Sequence, residues 1–265
     1  MGSGGPEGGE RASASYLIKK DEKTIVLVDF GGGAFLRYGQ AKAKIGDLQA
    51  VLLTHLHIDH VVELPALMKA GYFSKRSSEL NIIGPSGNEY FPGLKEFIQL
   101  QFGKQGAYRY MSDILGEKSD SFSLKTFEVK QDRDFVFSDL DIKAVRVNHG
   151  IVPALAYRIE IDGRVIVFSG DTSAKSEALT QLSKDADVLI AHHAIAEHGD
   201  EGARGLHMQP SRTAKIAKDA GVKTLLLSHR MNRTLGRERE HQDLMKKIYK
   251  GTILWAEDLM EITLP

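Results

Sequence analysis

The chain of 265 residues contains no cysteine. That absence excludes disulfides and thiolate ligands, leaving imidazole, carboxylate and water as the donors open to any metal site. Net charge is missing too: 35 Lys and Arg balance 35 Asp and Glu. No global field gathers nucleic acid or an anionic membrane, so either contact would have to rest on a local patch, and long nucleic-acid polymers are not the expected partners. No apolar run approaches the roughly 20 residues that span a bilayer. The glycine-rich start, Met1 to Gly9, lacks the pattern of a secretory leader. The expectation is a soluble chain with no membrane partner, cytoplasmic, or periplasmic if a leader has been removed. Internal repeats are absent, and with 42% hydrophobic residues the chain can bury a sizeable core. One domain over residues 1–265 is expected.

What the chain does have is concentrated. Val51 to Leu53 is aliphatic enough for a buried strand, and Thr54 opens a turn into His55-Leu56-His57-Ile58-Asp59-His60, three imidazoles and a carboxylate within six positions. Packing has no use for so tight a cluster, and protonating it together is costly. A two-metal site is the better reading. Imidazole nitrogen suits zinc, and the added carboxylate suits zinc, iron or manganese and allows a second ion.

Strands and helices alternate around this motif. Ala14 to Lys19 and Thr24 to Asp29 read as a hairpin, and the glycines after Asp29 read as a tight strand-to-helix turn, since the lysine and hydroxyl residue of a phosphate loop are missing. Helices are expected over Ala34 to Ile45, Val61 to Gly71, Gly93 to Phe102 and Ser211 to Ala220, and a short strand over Ile82 to Gly84. In the second half, Ile142 to Val147 leads to His149, Val165 to Phe168 leads to Asp171, and Thr224 to Leu227 leads to Ser228-His229. Polar residues at the carboxyl ends of separate strands converge on one sheet edge, where open α/β layers bind their ligands. Singly, each of these is an ordinary turn or core residue; together with the dense motif they read as ligands.

Those residues resemble the metallo-β-lactamase-fold superfamily, whose His-x-His-x-Asp-His signature stands here as His55 to His60. Within it the chain looks closest to the ribonuclease Z and arylsulfatase-like branch, from Gly2-Ser3-Gly4-Gly5-Pro6 through Gly205-Leu206-His207 to Leu227-Ser228-His229. The resemblance implies an α/β protein, a four-layer αββα sandwich with the metals at one end of the sheets. It implies that His55, His57 and His149 hold one metal, that Asp59, His60 and His229 hold the other, and that Asp171 bridges them. The expected cofactors are two zinc ions, with manganese or iron(II) as the alternatives. A bridging carboxylate keeps the ions about 3.5–4 Å apart, close enough to share a hydroxide. Asp29 would orient a ligand from behind. Asp59 and His207 are assigned to the catalytic step, His207 as an imidazole of near-neutral pKa that protonates or stabilises the leaving group. His192 and Arg230 are assigned to substrate, Arg230 because a guanidinium fork suits phosphate or sulfate. His192 and its neighbour His193 fall where that branch usually carries a glutamate, so their roles stay open.

The leading reading is a metal-dependent hydrolase that cleaves a small ester, a phosphodiester or sulfate ester first, because two metals stabilise both the attacking and the leaving oxygen. A lactonase or β-lactamase-like hydrolase of a cyclic carbonyl is the alternative, and a catalytically idle metal-containing binding protein is a third reading. Structured tRNA is not expected as a partner: ribonuclease Z inserts a tRNA-gripping arm between the positions of His149 and Asp171, and here the two lie only 22 positions apart. The aromatic middle segment, Tyr72 to Tyr110, is expected to wall the pocket, across a homodimer if one forms.

Overall fold

The computed structural model describes residues 1–116, 119, 121–138 and 140–264. The strands of its first half are β1 (Tyr16–Lys20), β2 (Lys23–Val28), β3 (Ala50–Leu52), β4 (Leu80–Pro85) and β5 (Leu124–Val129), with helices α1 (Ala34–Gln40), α2 (Ile58–Val61), α3 (Leu64–Gly71) and α4 (Leu94–Phe102) between them. The second half contributes β6 (Arg133–Phe137), β7 (Leu140–His149), β8 (Val152–Ile161), β9 (Arg164–Phe168), β10 (Val188–His192), β11 (Thr224–Ser228) and β12 (Thr252–Trp255), with α5 (Ala178–Leu182), α6 (Glu201–Leu206), α7 (Pro210–Asp219) and α8 (Glu238–Ile248). One sheet runs β1-β2-β3-β4-β5 and the other β12-β11-β10-β9-β8-β7-β6.

The sequence dictates the layering through strands that are apolar on both faces. In β2 and β3, Val26, Val28, Ala50 and Leu52 join Ile142, Leu155, Tyr157 and Ile190 of the second sheet in a core between the sheets. Their neighbours Leu27, Val51 and Leu53 point the other way, against α1, α3 and α4. Leu189, Leu225 and Leu227 likewise face outward onto α5, α7 and α8. This is the expected four-layer αββα sandwich: strands covered on both sides carry continuous apolar runs rather than alternation. The same property hides Val188–His192 from a sequence reading, which also assigns no strand to the four-residue Thr252–Trp255.

Two helices differ from expectation for visible reasons. The helix from Ala34 stops at Gln40, where Gly39 weakens it and Lys42 takes a left-handed φ of 54°. The expected Val61–Gly71 helix is two pieces, the second opened by Pro65 in its first turn. Among the described residues no helix is long and apolar enough to cross a membrane.

Candidate metal centre

Seven strands end around the site. β2, β3 and β4 are parallel, β9, β10 and β11 are parallel, and β7 runs with β9 because both are antiparallel to β8. Their carboxyl ends therefore share one edge of the sandwich. At that edge Asp29, Gly150, Gly170 and His229 all take left-handed φ values of 52–59°, so the chain turns sharply as it leaves β2, β7, β9 and β11. For Asp29 and His229 such a conformation costs on the order of 1–3 kcal/mol, and strain of this kind persists only where the surroundings enforce it. Gly31 shows one such constraint: a Cβ there would fall 1.8 Å from the carbonyl oxygen of Asp59. The glycine run after β2 is thus a close approach of backbone beneath the metal motif.

The expected ligands meet at this edge. One atom from each of His55, His57 and His149 lies within 4.8 Å of the others, and the same holds for Asp59, His60 and His229, for His55, His60 and Asp171, and for His149, Asp171 and His207. In the first group, His55 Nε2 and His149 Nε2 lie 3.0 and 3.4 Å from His57 Nδ1. In the second, Asp59 Oδ2 lies 3.2 Å from His229 Nε2 and 3.6 Å from His60 Nε2. Asp171 stands between, with Oδ1 3.8 Å from His60 Nε2 and Oδ2 3.4 Å from His229 Nε2. Nitrogens about 2.1 Å from a tetrahedral ion are themselves roughly 3.4 Å apart, so the spacing suits such an ion.

The far sides of the rings decide what the near sides can offer. His149 Nδ1 lies 2.9 Å from the Leu206 carbonyl, which can only accept, so its Nε2 carries a lone pair. Asp29 receives the Thr54 amide and hydroxyl at 2.8 Å each and His60 Nδ1 at 2.7 Å. The Thr54 hydroxyl, its proton given to Asp29, accepts from His55 Nδ1 at 3.1 Å. His55, His60 and His149 are thereby set to present bare Nε2 atoms inward. Two of these lone pairs point at His57 Nδ1, which has at most one proton to share. His60 Nε2 and Asp171 Oδ1 are buried without a hydrogen-bond partner, an arrangement ordinarily costing about 1–3 kcal/mol per group. Convergent lone pairs and orphaned acceptors are the signature of a cation site, and the donor set, imidazole with carboxylate, fits zinc.

Electrostatics follow from the same contacts. Burial would push the Asp171 carboxyl up, but His229 and His60 hold it well below the usual carboxylate range. Burial pulls His60 down, and Asp29, aided by Asp171 and Asp59, overrides this to about 9, so Nε2 takes a second proton from water at neutral pH, one that a bound cation would replace. His55 is carried well below the ordinary imidazole value by burial and by neighbouring His60.

Three assignments are corrected by the geometry. Arg230 follows His229 in sequence, yet its guanidinium turns away from the ligands: it donates to the Ala256 carbonyl at 3.1 Å and to Glu257 at 2.7 Å, pairs with Glu238, and stacks over Trp255. It is buried with both terminal nitrogens engaged and only Nε without a partner, so no fork is left for a substrate anion. His192 is also fully used, donating from Nδ1 to the Gly170 carbonyl at 2.9 Å and accepting the Met208 amide on Nε2 at 3.1 Å. It ties the Asp171 turn to the His207 segment rather than touching a substrate. His207 lies where expected, with Nδ1 3.7 Å from Asp171 Oδ2, but burial lowers it to about 4, so it is not the near-neutral imidazole the sequence suggests. His193 contacts His241 at 2.8 Å and the edge of Trp255, away from the ligands. Thr54 and the Leu206 carbonyl escaped the sequence reading. Only the placement of Thr54 directly before His55, where a hydroxyl can reach the neighbouring ring, hinted at the former.

The sequence profile described as Beta-lactamase superfamily domain matches residues 24–230. The chain belongs to the β-lactamase superfamily. Ribonuclease Z of Methanosarcina acetivorans is 26% identical over 299 aligned positions, covering 100% of this chain and 97% of its own. Among solved structures, the short form of human tRNase Z superposes with a TM-score of 0.75 at 22% identity, covering 100% of this chain and 97% of that one. The metallo-β-lactamase fold protein YhfI of Bacillus subtilis gives 0.75 at 22% identity, covering 97% of this chain and 93% of that one. The β-lactamase superfamily member described here is a metal-dependent hydrolase, similar along its whole length to proteins named Ribonuclease Z. One expectation falls. Relatives named Ribonuclease Z and tRNase Z match the chain end to end, so neither the short His149–Asp171 interval nor the zero net charge sets structured tRNA aside. Net charge sums the whole surface and says nothing of a local field.

Proposed function

We propose that this β-lactamase superfamily member is a dinuclear zinc phosphodiesterase. The observation that carries this reading is the meeting of His55, His57, His149, Asp59, His60, His229 and Asp171 at one sheet edge, with ligand atoms in mutually close groups. His55, His57 and His149 would hold one ion, Asp59, His60 and His229 the second, and Asp171 both. Two such cations supply Lewis-acid charge and an ionised water at neutral pH. The chain's own contribution is orientation. Asp29 fixes the proton of His60 at Nδ1 and, through Thr54, that of His55; the Leu206 carbonyl fixes that of His149. His207, neutral by burial, offers one N–H beside Asp171 to charge developing on a phosphate or leaving oxygen, which is electrostatic stabilisation rather than full proton delivery. Asp59 holds His229 and would orient the attacking water. A phosphodiester leads over the sulfate ester, lactone and β-lactam alternatives because paired cations favour in-line displacement at phosphorus.

A small phosphodiester and an RNA chain end share this chemistry, and the names of the full-length relatives bring RNA into the same reading. The test is a panel with the zinc-loaded protein: methyl 4-nitrophenyl phosphate, 4-nitrophenyl sulfate, a homoserine lactone, nitrocefin and a precursor tRNA. Zinc-dependent turnover of the phosphodiester or the RNA is expected. Turnover confined to the lactone, nitrocefin or sulfate would remove the reading.

A further inference from the structure

Beside the ligands lies a cleft of about 370 Å³ that none of the chemistry above uses. Its walls are the turn after β4, the end of β5 and the β7–β8 hairpin, and they include Asn148 and Gly150, the two chain neighbours of His149. His149 itself turns inward, its Nε2 3.4 Å from His57. One wall of the cleft is thus continuous in the chain with a ligand of the proposed metal site.

The lining has a definite chemistry. It contains no Asp or Glu and one cation, Arg146. The Arg146 guanidinium is exposed and makes no hydrogen bond or ion pair with the described residues; only its backbone amide is engaged, by Asp132 at 3.1 Å. At the rim stand two large apolar side chains left to solvent, Tyr90 at 65% and Ile151 at 63% exposure. Their backbones are tied together. Asn88 accepts the Tyr90 amide at 2.9 Å and donates to the Ile151 carbonyl at 2.8 Å, stapling one wall to the other. Gly87 admits no side chain, since a Cβ would fall 2.4 Å from the Gly93 nitrogen. An exposed aromatic face, a free guanidinium and acid-free walls suit a stacked base with an attached anion. The volume falls at the small end of ligand pockets, roughly 300–1,000 Å³, which is the scale of one nucleotide.

We infer that this cleft seats the nucleoside attached to the scissile phosphodiester, Tyr90 stacking the base and Arg146 pairing with a neighbouring phosphate or sugar oxygen. The inference rests on the phosphodiesterase reading for its scissile bond, but the cleft can be tested separately. Turnover of thymidine 5′-(4-nitrophenyl phosphate) is compared with that of methyl 4-nitrophenyl phosphate, and thymidine 5′-monophosphate binding is followed by calorimetry, for the wild type, Tyr90→Ala, Tyr90→Phe and Arg146→Ala. The preference of kcat/KM for the thymidine ester should fall about tenfold in Tyr90→Ala and Arg146→Ala, through KM, and be kept in Tyr90→Phe; nucleotide Kd should rise about tenfold in step. Equal effects on both esters, or unchanged nucleotide binding, would overturn the inference. Should the wild type cleave neither ester, the phosphodiesterase reading falls, and the calorimetry alone decides the cleft.

Discussion

Replacing Asp29 by Asn is the sharpest perturbation of the centre, because it alters no proposed ligand. The carboxylate is 1% exposed and accepts three hydrogen bonds, from the Thr54 amide and hydroxyl and from His60 Nδ1. Asn is nearly the same size and tolerates the left-handed φ of 54° at this position. Its carbonyl can keep the Thr54 amide, but its NH₂ must then face the Thr54 hydroxyl and His60 Nδ1. His60 is left either with donor against donor or with its proton moved to Nε2, the atom meant for metal. A hydrogen bond to a charged group contributes about 1.5–3 kcal/mol, and each 1.4 kcal/mol is about tenfold in an equilibrium constant. Affinity at the site of Asp59, His60 and His229 should therefore drop about 10- to 100-fold, with the site of His55, His57 and His149 affected less, through Thr54. Competition with a chromogenic chelator reads both steps. Two unchanged zinc affinities in a folded Asp29→Asn protein would refute the reasoning that Asp29 sets the tautomer of His60.

Three further outcomes follow. His207→Ala should keep both zinc ions and lose about 10²- to 10³-fold in kcat, the cost of one donor to developing charge; loss of metal, or activity within a few-fold of wild type, would count against its assigned role. Arg230→Ala should lower stability by about 2 kcal/mol, less than a fully buried pair because Glu257 reaches solvent, and a higher KM with an unchanged melting temperature would restore it as a substrate residue. His193, lowered to about 3 by burial and by His241, stays neutral in the fold but takes a proton near pH 6.5 once unfolded, so its contribution is complete above pH 6.5 and is lost as pH falls toward 3. Urea unfolding should show the wild type losing about 2 kcal/mol more than His193→Gln between pH 7 and pH 5; parallel losses would place the acid sensitivity elsewhere.

What the sequence discloses and what it hides divide along physical lines. The ligands are legible because polar residues at strand ends have no packing role, and four chemically costly side chains within the six positions from His55 to His60 cannot be mistaken for a loop. The layered fold is legible through apolar runs joined by turn residues. Direction is not. Arg230 sits next to a ligand in the chain, but the left-handed φ of His229 swings the next side chain onto Trp255. His192 reads as a substrate residue, and only the backbone on either side shows both nitrogens already engaged. Strand β10 is missed because burial on both faces erases the alternation that would reveal it, and β12 because four residues are too few to show one. The cleft at Tyr90 and Arg146 joins a loop and a strand far apart in sequence, and no local pattern reports such a meeting.

The most direct test is to locate the ions themselves by zinc-edge anomalous diffraction from the loaded protein, with metal content measured on the same sample. Two ions per chain are predicted, one among His55, His57 and His149, the other among Asp59, His60 and His229, with Asp171 touching both. A single ion, or a pair lying outside these groups, would contradict the account.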